Sequence, residues 1–566
     1  MFSISVLALL RFDLATLAMV LWPSGLALVS GNRMLHRFLS FIQNSLIYLF
    51  PILLILSNLE LYYNGRYPGL ASLQYGDEAH ILLRGLIERD SESLLLLASI
   101  LLILPPLLSR LPAPKKVHLL PQIAVLAGLI IALRGGMAPG ILRPTDALKE
   151  KGPGIVTNGF FVLAHSLLDQ KDFAITLDES DWQEFLKESG TSLYPEYPLL
   201  RYADGRSQKR SVFLIILESV SQTSSEVNLP RLSQLPWERL PIVLGAGGRS
   251  ANGIFSITTG ILDRNDRSVL RSADALTRYG TLGNILKARN LPSYFYYPAR
   301  IELDHLDRFL RGQGFSEVLG PAELKASEDC AALQTVKEHL LTRLQKGEMF
   351  LSIYFSVNSH HPYLGSGLYS ADPYEDSVRT TDRCLADLLT ELDGQPLEVL
   401  LTSDHTEHRR LDPIADKTVP LMRFIHSGRI PVPLIKPGIA SQLDLLPTIL
   451  DLLGGNFFHH ALGDSLLRAN HRNRALTIGG SGHQVLGFAR EGELFLFWPW
   501  IPEERYRYSL LRLGRPFDPT NRADQFPKKV EAMGQTLSRI YGGLRRLEAT
   551  NRLWPAHLPL IPASRP

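Results

Sequence analysis

The sequence predicts an α-helical membrane domain followed by an α/β domain with a mainly parallel central sheet. Two observations support this prediction. Long apolar stretches are concentrated in the first part of the chain, and strand-like runs alternate with helix-like runs after residue 210. We expect a transmembrane domain over residues 1–135, a linker over 136–205 and a folded α/β domain over 206–566.

The composition agrees with a chain that lies partly in a membrane. Charged residues make up 20% of the 566 residues, which is below the roughly 25% of soluble domains. The net charge of +3 excludes a polybasic nucleic-acid binder, so no nucleic-acid partner is expected. Two cysteines, Cys330 and Cys384, are too few for a disulfide scaffold, and their separation does not indicate whether they pair.

Four apolar stretches are long enough to cross a bilayer, which needs about 20 mostly apolar residues, the third one if it is extended at its N-terminal side. They cover residues 3–29, 38–61, 94–108 and 118–133. The last two are also short enough to be buried core helices, but four in succession favour membrane spans. Because the chain begins without a basic segment or a cleavage site, we expect these helices to remain in the protein.

Basic residues in the short loops predict the orientation of these helices. Positive loops face the cytoplasm, so the N-terminus, the second loop and everything after Leu133 are expected outside. The first span also carries Arg11 and Asp13, either as an interfacial pair or as a contact to a lipid headgroup. The basic residues of loops one and three are Arg33, His36, Arg37, Arg110, Lys115 and Lys116.

The segment after the membrane region is less regular. Glycines and prolines over 135–144 end the apolar region. Residues 160–168 fit an amphipathic helix on the membrane surface and fit a packed linker helix equally well.

The α/β domain is predicted from alternating runs. Residues 212–217 are continuously apolar, as is typical of a buried parallel strand. Such sheets bind ligands at the carboxyl ends of their strands. Further strands are predicted over 293–297, 350–357 and 398–402, an edge strand or hairpin over 493–498, and helices over 282–289, 335–345, 382–392 and 443–453.

Polar residues at two of these strand ends predict a metal site. Glu218 follows the first strand, and Asp404 and His405 follow another. Carboxylate oxygens and imidazole nitrogen suit a divalent ion such as Zn²⁺ or Mn²⁺. Each residue alone is better explained as a helix cap or a turn residue. Because the ends of parallel strands meet at one edge, the three together favour a metal site.

A glycine-rich turn over 245–253 supplies a candidate nucleophile, Ser250. We expect Ser250 near a helix N-terminus, where free amides and the helix dipole favour an anion. A hydroxyl that ligates a divalent ion is deprotonated and nucleophilic near neutral pH. From the turn alone, a simple helix cap is the stronger interpretation of Ser250.

The ordered motifs resemble the lipoteichoic acid synthase and phosphoglycerol transferase family, membrane-anchored members of the alkaline phosphatase and sulfatase superfamily. The resemblance covers almost the whole chain and implies an alkaline phosphatase/sulfatase-like fold. The motifs that carry it are Glu218, the Arg249-Ser250-Ala251-Asn252-Gly253 turn, the Ser359-His360-His361-Pro362-Tyr363 segment, Ser403-Asp404-His405 and the stretches 11–13, 312–315, 374–382 and 441–448.

The resemblance implies a role for each matching residue. Ser250 takes the position of the nucleophile, where many relatives carry Thr, and it is also a ligand of one divalent ion. That ion would be Mn²⁺ or Zn²⁺, with Mg²⁺ as an alternative, and the other ligands would be Glu218, Asp404 and His405. Residues near the transferred phosphate and headgroup would be His360, Arg300, Asp304 and His305, although relatives often have Asn in place of the last.

The implied activity is the transfer of glycerophosphate from phosphatidylglycerol to an extracytoplasmic glycan or polyglycerophosphate acceptor through a covalent Ser250 intermediate. The implied location is a bacterial inner (cytoplasmic) membrane, with several spans and a catalytic domain outside the cytoplasm. Relatives usually have one further membrane helix ahead of their Arg-x-Asp helix. A late start codon or a genuine loss would explain a chain that begins at the second helix.

The same residues bear on four other functions. A formylglycine sulfatase needs C/S-x-P-x-R, whereas Ser250 is followed by Ala-Asn-Gly-Ile. A phosphoethanolamine transferase usually has a Gly-Glu-Thr motif, which is missing here. A sulfatase-like phosphodiester hydrolase differs only in its acceptor, and the sequence does not separate it from a transferase. A catalytically inactive membrane-bound binding or assembly protein is opposed by the intact ligand set.

Overall fold

The computed structural model describes the residues listed at the end of this paragraph. The predicted membrane spans, their loops, Arg11 and Asp13 lie outside them, as do residues 160–168. Among the described residues, no helix is both long and apolar enough to cross a membrane. The described residues are 177–189, 194–203, 210–264, 268–360, 363–407, 417–427, 434–435, 437–454, 456–479, 485–497, 508–513 and 520–558.

Helices and strands are numbered in chain order over the described residues. The helices are α1 (Glu179–Ser189), α2 (Gln222–Asn228), α3 (Ser250–Thr259), α4 (Leu282–Lys287), α5 (Leu306–Gly312), α6 (Pro321–Leu324), α7 (Asp329–Gln345), α8 (Pro373–Glu391), α9 (Leu445–Leu452) and α10 (Pro527–Ala549). Strands β1 to β8 are Arg201–Ala203, Ser211–Leu217, Trp237–Arg239, Val243–Leu244, Ser293–Tyr296, Glu317–Leu319, Leu351–Phe355 and Leu397–Ser403. Strands β9 to β15 are Leu421–Phe424, Ala440–Ser441, Phe457–His459, Arg474–Ile478, Leu486–Arg490, Glu493–Phe497 and Tyr508–Arg512.

Seven strands form the central sheet, in the order β3-β9-β8-β2-β7-β5-β6. The five strands from β8 to β6 are mutually parallel, whereas β9 is antiparallel to both of its neighbours. The prediction of a mainly parallel sheet is therefore confirmed. All residues of β2 and β8 are buried, which explains the unbroken apolar run over residues 212–217 in β2 and the largely apolar run in β8.

The two faces of the sheet are covered by different helices. Successive side chains of a strand point to opposite faces. Accordingly Val212, Leu214 and Ile216 pack in one apolar cluster with α3, α9 and α10. Their neighbours Phe213 and Ile215 pack in a second cluster with α7 and α8. The domain is thus a sheet between two layers of helices.

A second sheet of four antiparallel strands, β12-β13-β14-β15, follows the central one in the sequence. The edge-strand alternative for residues 493–498 is wrong, because β14 lies between β13 and β15. The hairpin alternative is confirmed. Glu491 and Gly492 both have positive φ, 53° and 77°, as a two-residue turn between right-twisted strands requires.

Helices α7 and α8 begin earlier than the apolar periodicity predicted. The carboxylate of Glu328 accepts from the amides of Cys330 and Ala331 at the start of α7. Asp372 accepts in the same way from Tyr374 and Glu375 at the start of α8. The first turns of α8 are rich in polar residues and that of α7 consists of Asp329 and small residues, so a pattern of large apolar residues does not reveal them.

Cys330 in α7 and Cys384 in α8 form a disulfide, with their Cα atoms 5.3 Å apart. The bond joins two helices that cover the same face of the sheet. Disulfides persist mainly in oxidising compartments.

Candidate active site

The site begins with the register of two neighbouring strands. Leu217 and Ser403, the last residues of β2 and β8, are directly paired. Glu218 and Asp404 therefore leave the sheet side by side. Both side chains are buried, as is that of His405, and one ligand atom from each lies within 4.8 Å of the others. The three residues predicted as metal ligands are thus brought together.

The imidazole of His405 presents a lone pair to this cluster. Its Nδ1 lies 2.8 Å from the carbonyl oxygen of Thr406. Because a carbonyl oxygen can only accept, Nδ1 carries a proton, and Nε2 is the nitrogen that is able to bind a metal ion. Nε2 lies 3.4 Å from Asp404 Oδ2 and 3.6 Å from Glu218 Oε1. A backbone carbonyl that fixes the tautomer in this way is typical of metal-binding histidines.

The two oxygens of Asp404 have different environments. Oδ1 accepts from the amides of Ser219 and His405, at 2.8 and 2.7 Å. Oδ2 is buried and accepts no hydrogen bond from the residues that the structure describes. A buried carboxylate oxygen without a donor is costly unless a cation meets it. The orientation of Asp404 therefore leaves one oxygen for a metal ion.

Glu218 is buried beside Asp404, away from solvent. Burial, and next the charge of Asp404, raise the pKa of Glu218 to about 8. Ser219 Oγ donates to Glu218 Oε1 at 2.6 Å and orients the carboxylate. Two buried carboxylates and an imidazole lone pair form a donor set that a divalent cation stabilises. The residues present therefore fit a metal ion, whose identity they do not determine.

Ser250 is the first residue of α3 and lies against this cluster. Its Oγ is 3.2 Å from His405 Nε2 and 3.3 Å from Glu218 Oε2. The residue before it, Arg249, caps the helix without a side-chain hydrogen bond. Since arginine has no acceptor, the first-turn amides are not satisfied by that side chain, which favours a phosphate-like anion there. The helix start predicted for Ser250 is present, next to the candidate metal ligands.

The other hydroxyl side chains of α3 are buried in the fold. Thr258 Oγ1 donates to the carbonyl of Ile254, and Thr259 Oγ1 to that of Phe255. Ser256 is fully buried. Ser219 is different, because its hydroxyl lies in the cluster, but it is already bonded to Glu218. Ser250 is therefore the best placed hydroxyl of this group.

The loop after β7 is tied to the backbone of Glu218. Ser359 Oγ donates to the Glu218 carbonyl at 2.5 Å, and Ser356 Oγ accepts from the Glu218 amide at 2.8 Å. His360, the next residue, is exposed at this edge of the sheet. This placement suits a residue that meets a substrate phosphate.

The remaining predicted substrate residues follow β5, two strands away from β2. Arg300 is exposed, and Asp304 and His305 are half-buried. The last two have positive φ, 59° and 55°, which marks a tight local turn. They lie on the carboxyl side of β5, the side on which Glu218 leaves β2, because these strands are parallel.

Gln442 joins two parts of the site, a role that its sequence context does not indicate. Its Nε2 donates to the carbonyl of Asp404 at 3.1 Å and also to that of Ser403. Its Oε1 accepts from the amide of Ala246 in the glycine-rich turn, at 2.6 Å. The only signal in the sequence was its place in the 441–448 motif.

Comparisons with known proteins agree with this architecture. Residues 210–455 match the sulfatase family model. An alkaline phosphatase superfamily protein from Vibrio parahaemolyticus superimposes with a TM-score of 0.56 at 17% identity, over 67% of this chain and 98% of that one. Sulfatase superfamily enzymes use a divalent metal, and the cluster of Glu218, Asp404 and His405 is present to hold one.

Two more distant structures were also found. The lipoteichoic acid synthase LtaP from Listeria monocytogenes has a TM-score of 0.49 at 14% identity, over 65% of this chain and 98% of that one. The phosphoglycerol transferase GacH from Streptococcus pyogenes, in complex with sn-glycerol-1-phosphate, has a TM-score of 0.35 at 12% identity, over 50% and 82%. The family match covers residues 210–455, and the fold described for them is that of the alkaline phosphatase superfamily.

Proposed function

We propose that the protein transfers a glycerophosphate headgroup from phosphatidylglycerol to an extracytoplasmic glycan or polyglycerophosphate acceptor. The observation that carries this proposal is the position of Ser250 Oγ, at a helix N-terminus and 3.2 Å from His405 Nε2. A hydroxyl beside a metal site and in front of free amides suits attack on a phosphodiester. The choice of glycerophosphate rests on the family resemblance of the motifs.

The reaction would occur in two displacements. Ser250 Oγ loses its proton and forms a bond to phosphorus, the bond from phosphorus to the diacylglycerol oxygen breaks, and that oxygen leaves as an alcohol after taking up a proton. The acceptor hydroxyl then loses its proton and attacks the same phosphorus, the bond from phosphorus to Ser250 Oγ breaks, and Oγ takes up a proton to restore the hydroxyl. We assign to His360 the contact with the leaving or a non-bridging oxygen, and to Arg300, Asp304 and His305 the contact with the headgroup.

Glu218, Ser250, Asp404 and His405 would hold one divalent ion, Mn²⁺ or Zn²⁺, with Mg²⁺ as an alternative. When bound, the ion supplies positive charge that lowers the pKa of the Ser250 hydroxyl and neutralises the phosphoryl oxygens. The amides of the first turn of α3 would stabilise the same charge from the other side.

A sulfatase activity is disfavoured although residues 210–455 match the sulfatase family model. The residues after Ser250 are Ala251, Asn252 and Gly253, which α3 uses for packing and for its first turn. The Pro and Arg of the formylglycine motif have no counterpart in this turn.

We infer that the protein spans a bacterial inner membrane several times, with the catalytic domain outside the cytoplasm. The apolar stretches and the positive loops support this orientation, and the Cys330–Cys384 disulfide agrees with an oxidising compartment. A topology reporter fused to the C-terminus should be active only outside the cytoplasm. Reporter activity restricted to the cytoplasm would refute the orientation.

The activity can be tested by incubating the full-length protein with headgroup-labelled phosphatidylglycerol and candidate acceptors, followed by mass spectrometry of the Ser250 peptide. A glycerophosphoryl adduct on Ser250 and a labelled acceptor support the transferase. Release of free glycerophosphate despite the acceptor identifies the hydrolase instead. Absence of both adduct and release, with metal bound, identifies a binding protein.

A further inference from the structure

A buried carboxylate outside the candidate metal site anchors the loop that carries His360. Asp329, the first residue of α7, is fully buried. It accepts hydrogen bonds from two backbone amides of the loop after β7, so its charge is matched by fixed donors. Its donors are Val357 N at 2.8 Å, Asn358 N at 3.2 Å, Tyr354 Oη at 2.7 Å and Thr381 Oγ1 at 2.6 Å.

The same loop holds the backbone of a candidate metal ligand. Ser356 and Ser359, which flank the two residues anchored by Asp329, bond the amide and the carbonyl of Glu218. A shift of this loop would therefore move Glu218 and the exposed His360 together.

The disulfide lies beside this anchor on both helices. Cys330 directly follows Asp329, and Cys384 lies one helical turn after Thr381. The covalent bond thus links the two helices next to the Asp329–Thr381 hydrogen bond. A continuous path of covalent and hydrogen bonds runs from the disulfide through Asp329, Val357 and Ser356 to Glu218.

We propose that Asp329 is a positioning residue for the metal site and for His360, and that the Cys330–Cys384 disulfide holds it in place. The proposal rests on the proposed function for the role of His360 alone. Reduction by a dithiol would break the sulfur–sulfur bond, and two electrons and two protons would give two thiols while the dithiol closes to a cyclic disulfide. The oxidised protein would then bind metal and turn over better than the reduced one.

The first test measures Mn²⁺ affinity of the full-length protein by titration calorimetry. Asp329→Asn keeps the shape of the side chain but replaces one acceptor oxygen with a donor. It should weaken Mn²⁺ binding by about 10-fold, which is the smaller of the losses in affinity that are usual when a residue supporting a metal ligand is replaced. The matched control is Asp382→Asn in α8, which replaces a carboxylate that accepts from the backbone amides of Arg231 and Leu232, outside this helix. The control should lose stability and keep its Mn²⁺ affinity.

Equal Mn²⁺ affinities in wild type and Asp329→Asn would overturn the positioning role. A loss of affinity that Asp382→Asn shares would do the same, because it would reflect general destabilisation. If Asp329→Asn does not fold, Thr381→Val decides, since it removes one neutral donor to the same carboxylate.

The second test compares wild type with and without dithiothreitol, with the fold followed by circular dichroism. Reduction should weaken Mn²⁺ binding and lower kcat more than it changes KM. The Cys330→Ala/Cys384→Ala protein should show the same loss and no further response to the reductant. Unchanged Mn²⁺ affinity and kcat after complete reduction would overturn the proposal that the disulfide holds Asp329 in place. Mn²⁺ affinity does not depend on the substrate, so a failed transfer assay leaves this result readable.

Discussion

Gly253 of α3 packs directly against the backbone of Asp404. A Cβ atom on Gly253 would lie 2.2 Å from the Asp404 carbonyl oxygen and 2.8 Å from its carbonyl carbon. The helix that carries Ser250 and the strand end that carries Asp404 therefore approach as closely as two backbones can. The glycine sets the distance between the candidate nucleophile and the candidate metal ligands.

We expect Gly253→Ala to push α3 away from Asp404 and to abolish turnover, with weaker metal binding. Both atoms in the way belong to the backbone, so no side chain can move aside. Gly534→Ala in α10 is a matched control, because its nearest neighbours are 3.5 Å away. It should be neutral or stabilising by up to about 1 kcal/mol. Normal activity of Gly253→Ala in a turnover assay would contradict the packing argument.

Ser250→Ala should abolish transfer and leave the fold and most metal affinity intact. It removes the hydroxyl that we propose as the nucleophile but keeps the three buried candidate ligands Glu218, Asp404 and His405. Ser250→Thr should keep partial activity, since the hydroxyl remains and the added methyl crowds its surroundings. Mass spectrometry of the trapped adduct checks both. A glycerophosphoryl adduct that persists in Ser250→Ala would move the role to a neighbour such as Ser219.

Asp404→Ala and His405→Ala should each lose bound metal and turnover. Asp404 offers Oδ2 and His405 offers Nε2 to the cluster, and both are buried. His408→Ala is the comparison, since the sequence places this histidine only three residues on; it lies outside the described residues, and we expect a much smaller loss. Metal content by mass spectrometry measures all three. Equal losses would show that the ligand set is wrongly assigned.

The sequence was sufficient for the strands whose burial is complete. β2 has an unbroken apolar run over residues 212–217 and β8 a largely apolar one because both faces of the sheet are covered, and the polar residues after them mark the strand ends. The ligand cluster followed from this pattern together with the family resemblance. By contrast, Asp329 and Gln442 could not be found, because a buried polar residue in a helix or loop carries no periodic signal. Their partners are defined only by tertiary packing.

Stability should fall in mildly acidic solution because of His460, which is fully buried. Burial lowers the pKa of His460 to about 4. Below pH 6.5 the imidazole is protonated in the unfolded chain but stays neutral in the folded chain. The free energy of unfolding therefore decreases as pH falls from 6.5 towards 4, by up to about 3 kcal/mol. His460→Gln should lose less over this range in urea unfolding at several pH values. Parallel curves for the two proteins would contradict the assignment.

The buried ion pair between Arg423 and Glu398 should be costly to break from one side. Arg423 Nε and Nη2 lie 2.9 and 2.7 Å from Glu398 Oε2. Arg423→Met leaves that oxygen buried without its partner and should cost about 3–5 kcal/mol in urea unfolding. The double variant Arg423→Met/Glu398→Leu removes both of these charges. It leaves Arg210, which also bonds Glu398 but is partly exposed, so the double variant should recover part of this loss. A single variant as stable as wild type would exclude a contribution from the pair.

The pairing of Leu217 with Ser403 has a consequence for how this enzyme can vary. The separation of Glu218 from Asp404 is fixed by the spacing of adjacent strands, about 4.8 Å, and by a register that is exact to one residue. Deleting or inserting a single residue within either strand would turn one carboxylate to the opposite face of the sheet, although no ligand had been replaced. Length changes in homologues should therefore be confined to the loops and absent from these two strands.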